Sequence, residues 1–221
     1  KWAVKKDNVL AYNDENNNFK PLPFNFTRDT TATYVDSDGL IKTAQKGYAR
    51  IDYLDNADGH LLLEPARTNS LLQSNQFDTT WTTSNATVTS GQTGVGGSTD
   101  AWLFNSSTGY MLQFVSLSGA STMSVYAKKG TAQGIRIRID ATTEANCYID
   151  LSNGSELFSH SGTNLDVTNV GNDWYRISLS IDSTISNVRF YAIDNTATST
   201  SGTVYIQYAQ LEAGSYATSY I

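Results

Sequence analysis

Apolar residues recur at every second position through most of this chain and almost nowhere at helical spacing. Met123, Val125 and Ala127 alternate with Ser124, Tyr126 and Lys128. Ile135, Ile137 and Ile139 alternate with Arg136 and Arg138, and Val188, Phe190 and Ala192 with Arg189 and Tyr191. Tyr175, Ile177, Leu179 and Ile181 alternate with Trp174, Arg176 and two serines. A period of two sends successive side chains to opposite faces of an extended strand, so one face is buried and the other is not. Gly, Asn, Asp and Ser interrupt the pattern every roughly 8–12 residues, which is the spacing of strands joined by turns. The reading is an all-β chain. A single short helical turn is expected over Glu64–Gln73, and V-Y-I-Q-Y-A-Q-L-E, apolar on both faces, is expected to be a central strand.

Punctuation along the chain divides it into three. Residues 1–23 hold the polar run N-D-E-N-N-N together with Pro21 and Pro23, and read as a linker or oligomerisation arm. Residues 24–73 read as a small β-hairpin module: Phe24 and Phe26 alternate with Asn25, and the turns D-S-D-G and D-N-A-D-G place Gly39 and Gly59 where positive φ is needed. Residues 74–221 carry many strands and predict a two-sheet antiparallel β-sandwich, of the jelly-roll kind. The chain opens on Lys1 rather than Met, from which a longer parent or a processed chain is expected.

Charge and composition exclude several functions. The net charge is −6 and the pI about 4.8, with no basic stripe, which speaks against nucleic acid because affinity there rests on neutralising phosphates. No apolar run spans a bilayer, and membrane insertion is not expected. Cys147 is the one cysteine; it shares an alternating face with Ile149 and Leu151 and reads as a small core residue rather than a reactive thiol. His60 and His160 are isolated, no G-x-S-x-G elbow is present, and Asp36, Asp38, Asp55 and Asp58 sit where turns demand Asp. These readings predict no catalytic residues, no cofactor and a chain that is not an enzyme. Calcium was weighed at D-S-D-G, which lacks the remaining ligands of a calcium loop.

Several separated motifs, in order, resemble a module found in phage structural proteins of the head-spike and tail-fibre type. They are F-T-R-D-T-T-A-T-Y-V-D-S-D-G-L-I-K-T-A, A-R-I-D-Y, L-L-L-E-P-A-R-T-N, M-S-V-Y-A-K-K-G, G-N-D-W-Y-R-I-S-L-S and the closing Y-I-Q-Y-A-Q-L-E-A-G-S-Y-A-T-S-Y-I. The resemblance implies a concanavalin-like or carbohydrate-binding-module-like jelly roll on a virion assembled in the host cytoplasm. The partners it implies are other virion proteins, further copies of the chain (a trimer) and acidic or neutral cell-surface polysaccharide. The alternative is a carbohydrate-binding module of a secreted polysaccharide-degrading enzyme; a lyase built on a jelly roll would need a Tyr/His or Lys/Arg cluster in a cleft. Many such jelly rolls hold calcium through an acid in the last strand, but Ile206-Gln207-Tyr208-Ala209 offers no carboxylate until Glu212.

The alternation also predicts a ligand face. With the apolar residues inward, Arg136, Arg138, Trp174, Arg176, Arg189, Tyr191, Tyr126 and Lys128 face outward, a basic and aromatic surface on an acidic protein. Aromatic faces stack on pyranose rings, and Arg meets a carboxylate or sulfate with two parallel bonds. Trp102, in D-A-W-L-F, and Tyr110, after the loop N-S-S-T-G, are added as rim contacts. The competing reading of the same residues is framework: Arg stems cover apolar sheet, and cross-strand Arg–Asp pairs stabilise it.

Overall fold

The computed structural model describes residues 2–13, 16 and 18–221, and of residues 5, 8–12 and 19–24 the backbone alone. Lys1 and Asp14, Glu15 and Asn17 of the N-D-E-N-N-N run lie outside the described residues. Among the described residues every regular element is a strand. The chain forms two compact units, residues 1–66 with 218–221 and residues 67–217.

The first unit contains three small sheets. β1 (Trp2–Lys5), β2 (Asn8–Asn13) and β3 (Phe19–Asn25) make an antiparallel meander where a linker or arm was expected. Pro21 and Pro23 lie in β3, an edge strand, which tolerates residues that lack an amide donor. β4 (Ala32–Val35) pairs with β5 (Ile41–Ala44) across the D-S-D-G turn. There the Asp36 carboxylate accepts the amides of Asp38 and Leu40, both at 2.9 Å, and Gly39 has φ +76°. β6 (Ile51–Asp52) pairs with β7 (His60–Leu61), and Gly59 in the intervening turn has φ +71°.

The second unit is built from β8 (Thr82–Gln92), β9 (Ala101–Leu117), β10 (Ala120–Lys129), β11 (Gly134–Ala141), β12 (Ala145–Asp150), β13 (Glu156–Ser161), β14 (Asn164–Asn169), β15 (Trp174–Asp182), β16 (Ile185–Ile193) and β17 (Ser201–Ala213). The strands expected to divide between two sheets are instead hydrogen-bonded into one antiparallel sheet, in the order β13-β12-β11-β16-β9-β17-β10-β15-β14, with β8 also on β9. The cause is β9. Its first half pairs with β17 and its second half with β16, and the chain bends between them at Thr108, φ +62°, and Gly109. N-S-S-T-G, read as a loop, is the corner of this strand. The two end strands, β13 and β14, are consecutive in sequence, and the sheet curls into a nearly barrel-shaped layer around one core.

That core is the one the alternation marks out. Met123, Val125, Ile135, Ile137, Ile139, Ile177, Leu179, Val188 and Phe190 are all fully buried in a single cluster. Trp81 stacks on Phe190 at 5.4 Å. β17 is central, between β9 and β10; a bulge at Tyr208, φ +54°, lets Val204 and Ile206 before it and Ala209 and Leu211 after it all face inward. The helical turn expected over Glu64–Gln73 does not form. Residues 67–73 run beside β17 instead: Ser70 donates to the Leu211 carbonyl at 2.7 Å, and the Asn69 side chain accepts the Leu71 and Leu211 amides and donates to the Ala209 carbonyl. Long-range hydrogen bonds to a strand replace the local ones a helix would supply.

Cys147 is enclosed in the core, and burial pushes its thiol up to about 12. The thiol is therefore expected not to react with Ellman's reagent in the native protein at pH 8, and to titrate as one group in denaturant. Rapid native labelling would contradict this packing.

Candidate functional site

Strand register assembles part of the predicted face on the outer side of β12, β11, β16 and β9. Arg136 lies opposite Tyr148 on one side and Tyr191 on the other. Its guanidinium sits over both rings, 5.3 Å from the centroid of Tyr148 and 4.8 Å from that of Tyr191. Tyr191 meets Tyr110 at 5.6 Å, and Tyr148 meets Phe158 of β13 edge-on at 5.4 Å. The result is one row, Phe158–Tyr148–Arg136–Tyr191–Tyr110, crossing five strands and so about 19 Å long. Tyr191 is buried and the Arg136 side chain is 12 % exposed, while Phe158, Tyr148 and Tyr110 are half-buried.

A second row holds the charges. Arg138 lies opposite Arg189, and two carboxylates neutralise the pair. Asp140 takes Arg138 Nε at 2.5 Å and Arg189 Nε at 2.8 Å, and Glu144 takes Arg138 Nη2 at 2.6 Å. Burial acts to lower the Arg138 pKa, but the hydrogen bond to Asp140 and the charges of Asp140 and Glu144 outweigh it and raise it. Arg136 gives its Nε and Nη2 to Asn146 Oδ1, at 2.8 and 2.6 Å. Arg189 also reaches Asn187 at 2.9 Å and lies over the Tyr110 ring at 5.0 Å. Each guanidinium is thus already engaged with protein. The arrangement fixes the rings in place and leaves stacking as the chemistry this face offers best.

The remaining predicted residues are elsewhere. Trp174, Arg176 and Tyr126 lie on β15 and β10, where Tyr126 pairs with Arg176 and Lys128 with Trp174. Arg176 sits over the Tyr126 ring at 5.6 Å. Trp174 is 1 % exposed, so its ring presents no face to a ligand. The outward side of these strands is closed: Ser124, Ser178, Gln210 and Glu212 are buried, and Thr122 and Ser180 donate to the carbonyls of Gly214 and Ser215, where the chain turns back after β17. Trp102 is 7 % exposed within the core, edge-on to Phe77 and donating to the Asn75 carbonyl at 2.9 Å. Alternation places a side chain on one face of its own strand, but it does not say whether that face is covered.

Tyr148, Phe158 and Asn146 were absent from the predicted face. Their signal was available for two of them: if Cys147 and Ile149 face inward, Asn146 and Tyr148 must face outward. Phe158 required knowledge of which strand lies beside β12. Among the described residues no three His, Cys, Asp or Glu side chains converge as metal ligands.

No protein-family model matches the chain, and no curated protein matches it. Among solved structures it is similar to the crystal structure of the enzymatically active domain of tailspike protein 4 from bacteriophage CBA120, with 15% identity and a TM-score of 0.38. The likeness covers 65% of this chain and 21% of that one, so the chain spans about a fifth of that structure. The matched structure is an enzymatically active domain, in contrast to the expectation for this chain that it is not an enzyme.

Proposed function

We propose that the chain is a phage virion module of the spike, tail or fibre type that engages cell-surface glycans through the outer face of β9, β16, β11, β12 and β13. The single observation that carries the glycan reading is the row of rings with Arg136 clamped between Tyr148 and Tyr191. Rings held at fixed spacing lose little conformational freedom on binding, and aromatic rings suit the C–H faces of successive pyranoses. The motifs shared with phage structural proteins support the virion setting.

A glycan array with the parent chain, Tyr148→Ala and Phe158→Ala tests this. Each substitution removes one half-exposed ring and is expected to weaken binding about tenfold, with little change in melting temperature. The ligands retained best should be neutral, since the arginines of the face are already paired. A folded parent chain that binds no glycan, or ring variants that bind as the parent does, would remove the basis for this reading.

A further inference from the structure

The second unit has a cleft of about 320 Å³ where the end of β10 meets the start of β15, the end of β14 and the turn after β12. Leu151 and Tyr175, 1 % and 8 % exposed, and the polar residues Lys128, Lys129, Ser152, Asn169 and Asp173 line it. The Tyr175 ring lies so close to Gly154 that an added Cβ there would approach it to 2.6 Å, which fixes the ring against the turn. Three consecutive residues, Gly171, Asn172 and Asp173, have positive φ, at +85°, +52° and +64°. This left-handed turn brings the Asn172 carbonyl to Lys128 Nζ at 2.9 Å and the Asp173 carboxylate to the same ammonium at 3.5 Å. A non-glycine residue in this region costs free energy that the surroundings must offset.

Lys129 differs from its neighbour. It is exposed, and among the described residues no carboxylate lies within 4 Å of its ammonium. Asp150 carries its opposite charge close by, but that carboxylate is already bound: Gln133 Nε2 donates to it at 2.7 Å, and the amide of Ser152 does so at 2.7 Å. Burial acts to raise the Asp150 pKa; these hydrogen bonds, the one from the Ser152 hydroxyl and the charge of Lys129 outweigh it and hold the group below the usual carboxylate range. The cleft therefore offers hydroxyl partners in Ser152, Asn169 and Asp173, and in Lys129 an exposed cation whose nearby carboxylate, Asp150, is held by other donors.

We propose that this cleft binds one anionic sugar unit, a pyranose bearing a carboxylate or sulfate, with its charge against Lys129. A site of this kind sets a few convergent polar groups in a concave surface, and an ammonium recognises an anion as a point charge. The proposal does not depend on the ring row; it assigns acidic saccharides to the cleft and leaves the paired arginines of the outer face as framework.

The test is calorimetric titration of the whole chain with tetragalacturonate, a heparin-derived tetrasaccharide and neutral maltotetraose, with ¹H–¹⁵N shift mapping. At least one anionic probe is expected to bind and to perturb the amides of Lys129, Gly130, Ser152 and Asn169; which one binds separates carboxylate from sulfate. Lys129→Glu should weaken that binding about tenfold or more, Lys129→Arg should largely retain it, and the same charge reversal at exposed Lys46 of the first unit, Lys46→Glu, should leave it unchanged. Equal binding by the parent and Lys129→Glu overturns the proposal. So does the absence of perturbation in the cleft with both anionic probes, or maltotetraose occupying the cleft as tightly as they do.

Discussion

Arg50→Ala is expected to destabilise the first unit by about 3–5 kcal/mol, the cost of leaving one member of a buried ion pair alone. Arg50 has a side chain only 7 % exposed; its Nη1 donates to Glu64 Oε2 at 2.6 Å and to the Thr33 carbonyl at 3.2 Å. The other oxygen of Glu64 accepts the Ser219 amide at 2.8 Å, so the same carboxylate ties the last residues of the chain into this unit. Removing the guanidinium leaves Glu64 with that amide and little water. The size of the loss reflects the stranded charge more than the strength of the pair. Arg50→Met combined with Glu64→Gln should therefore recover most of it, because glutamine still accepts from Ser219 and no charge is buried. Urea midpoints of the parent, Arg50→Met, Glu64→Gln and the double variant measure this as a double-mutant cycle, with Arg50→Ala beside it. A loss below about 1 kcal/mol for Arg50→Ala is the value for a solvent-screened surface pair and would reject the buried-pair account.

Gly109→Ala is expected to cost about 3 kcal/mol, at the upper end for inserting a methyl group into a well-packed site. A Cβ at this position would overlap the backbone carbonyl oxygen of Ser84 and crowd that of Asn85. Both belong to β8, which pairs with β9 on either side of the corner, Ser84 with Tyr110 and Ala86 with Ser106. A side chain could rotate away; a paired strand cannot without losing its ladder. Gly109 is also held by Ser106 Oγ, which accepts its amide at 2.9 Å. Gly119→Ala is the matched control. A Cβ there meets nothing within 4 Å, but φ is +84°, so only the conformational penalty remains, about 1–2 kcal/mol. Thermal melts of the two variants should rank Gly109→Ala well below Gly119→Ala; the opposite order would show that β8 yields at the corner.

The two variants mark where reading the sequence succeeded and where it stopped. Gly39 and Gly59 were legible as turn glycines because D-S-D-G and D-N-A-D-G carry their own local chemistry. Gly109 was not, because the oxygen it must avoid belongs to a strand some twenty-five residues earlier. N-S-S-T-G has the composition of a loop, and only pairing on both sides makes it part of a strand.

The candidate sites divide in the same way. Arg136, Arg138, Arg189 and Tyr191 were placed outward by alternation and share one face, and Tyr110, added as a rim contact, lies on it too. Trp174 was placed outward by the same alternation and Trp102 was added as a rim contact, and the structure buries both. The arginines were read either as framework or as contacts for an acidic ligand, and Asp140, Glu144 and Asn146 hold them. Lys129 stood in M-S-V-Y-A-K-K-G without any sign that a cleft would form beside it.

What the sequence determined by itself was the all-β class, the inward and outward faces of β10, β11, β15 and β16, and the core built from Ile135, Ile137, Ile177, Leu179 and Phe190. These follow from a period of two, which is a property of neighbouring residues. What only the tertiary structure decided was the joining of ten strands into one curled sheet through the bend in β9, which outward faces stay open, and which charges find partners. Those outcomes depend on the register between strands far apart in the chain, and a local pattern carries no information about register.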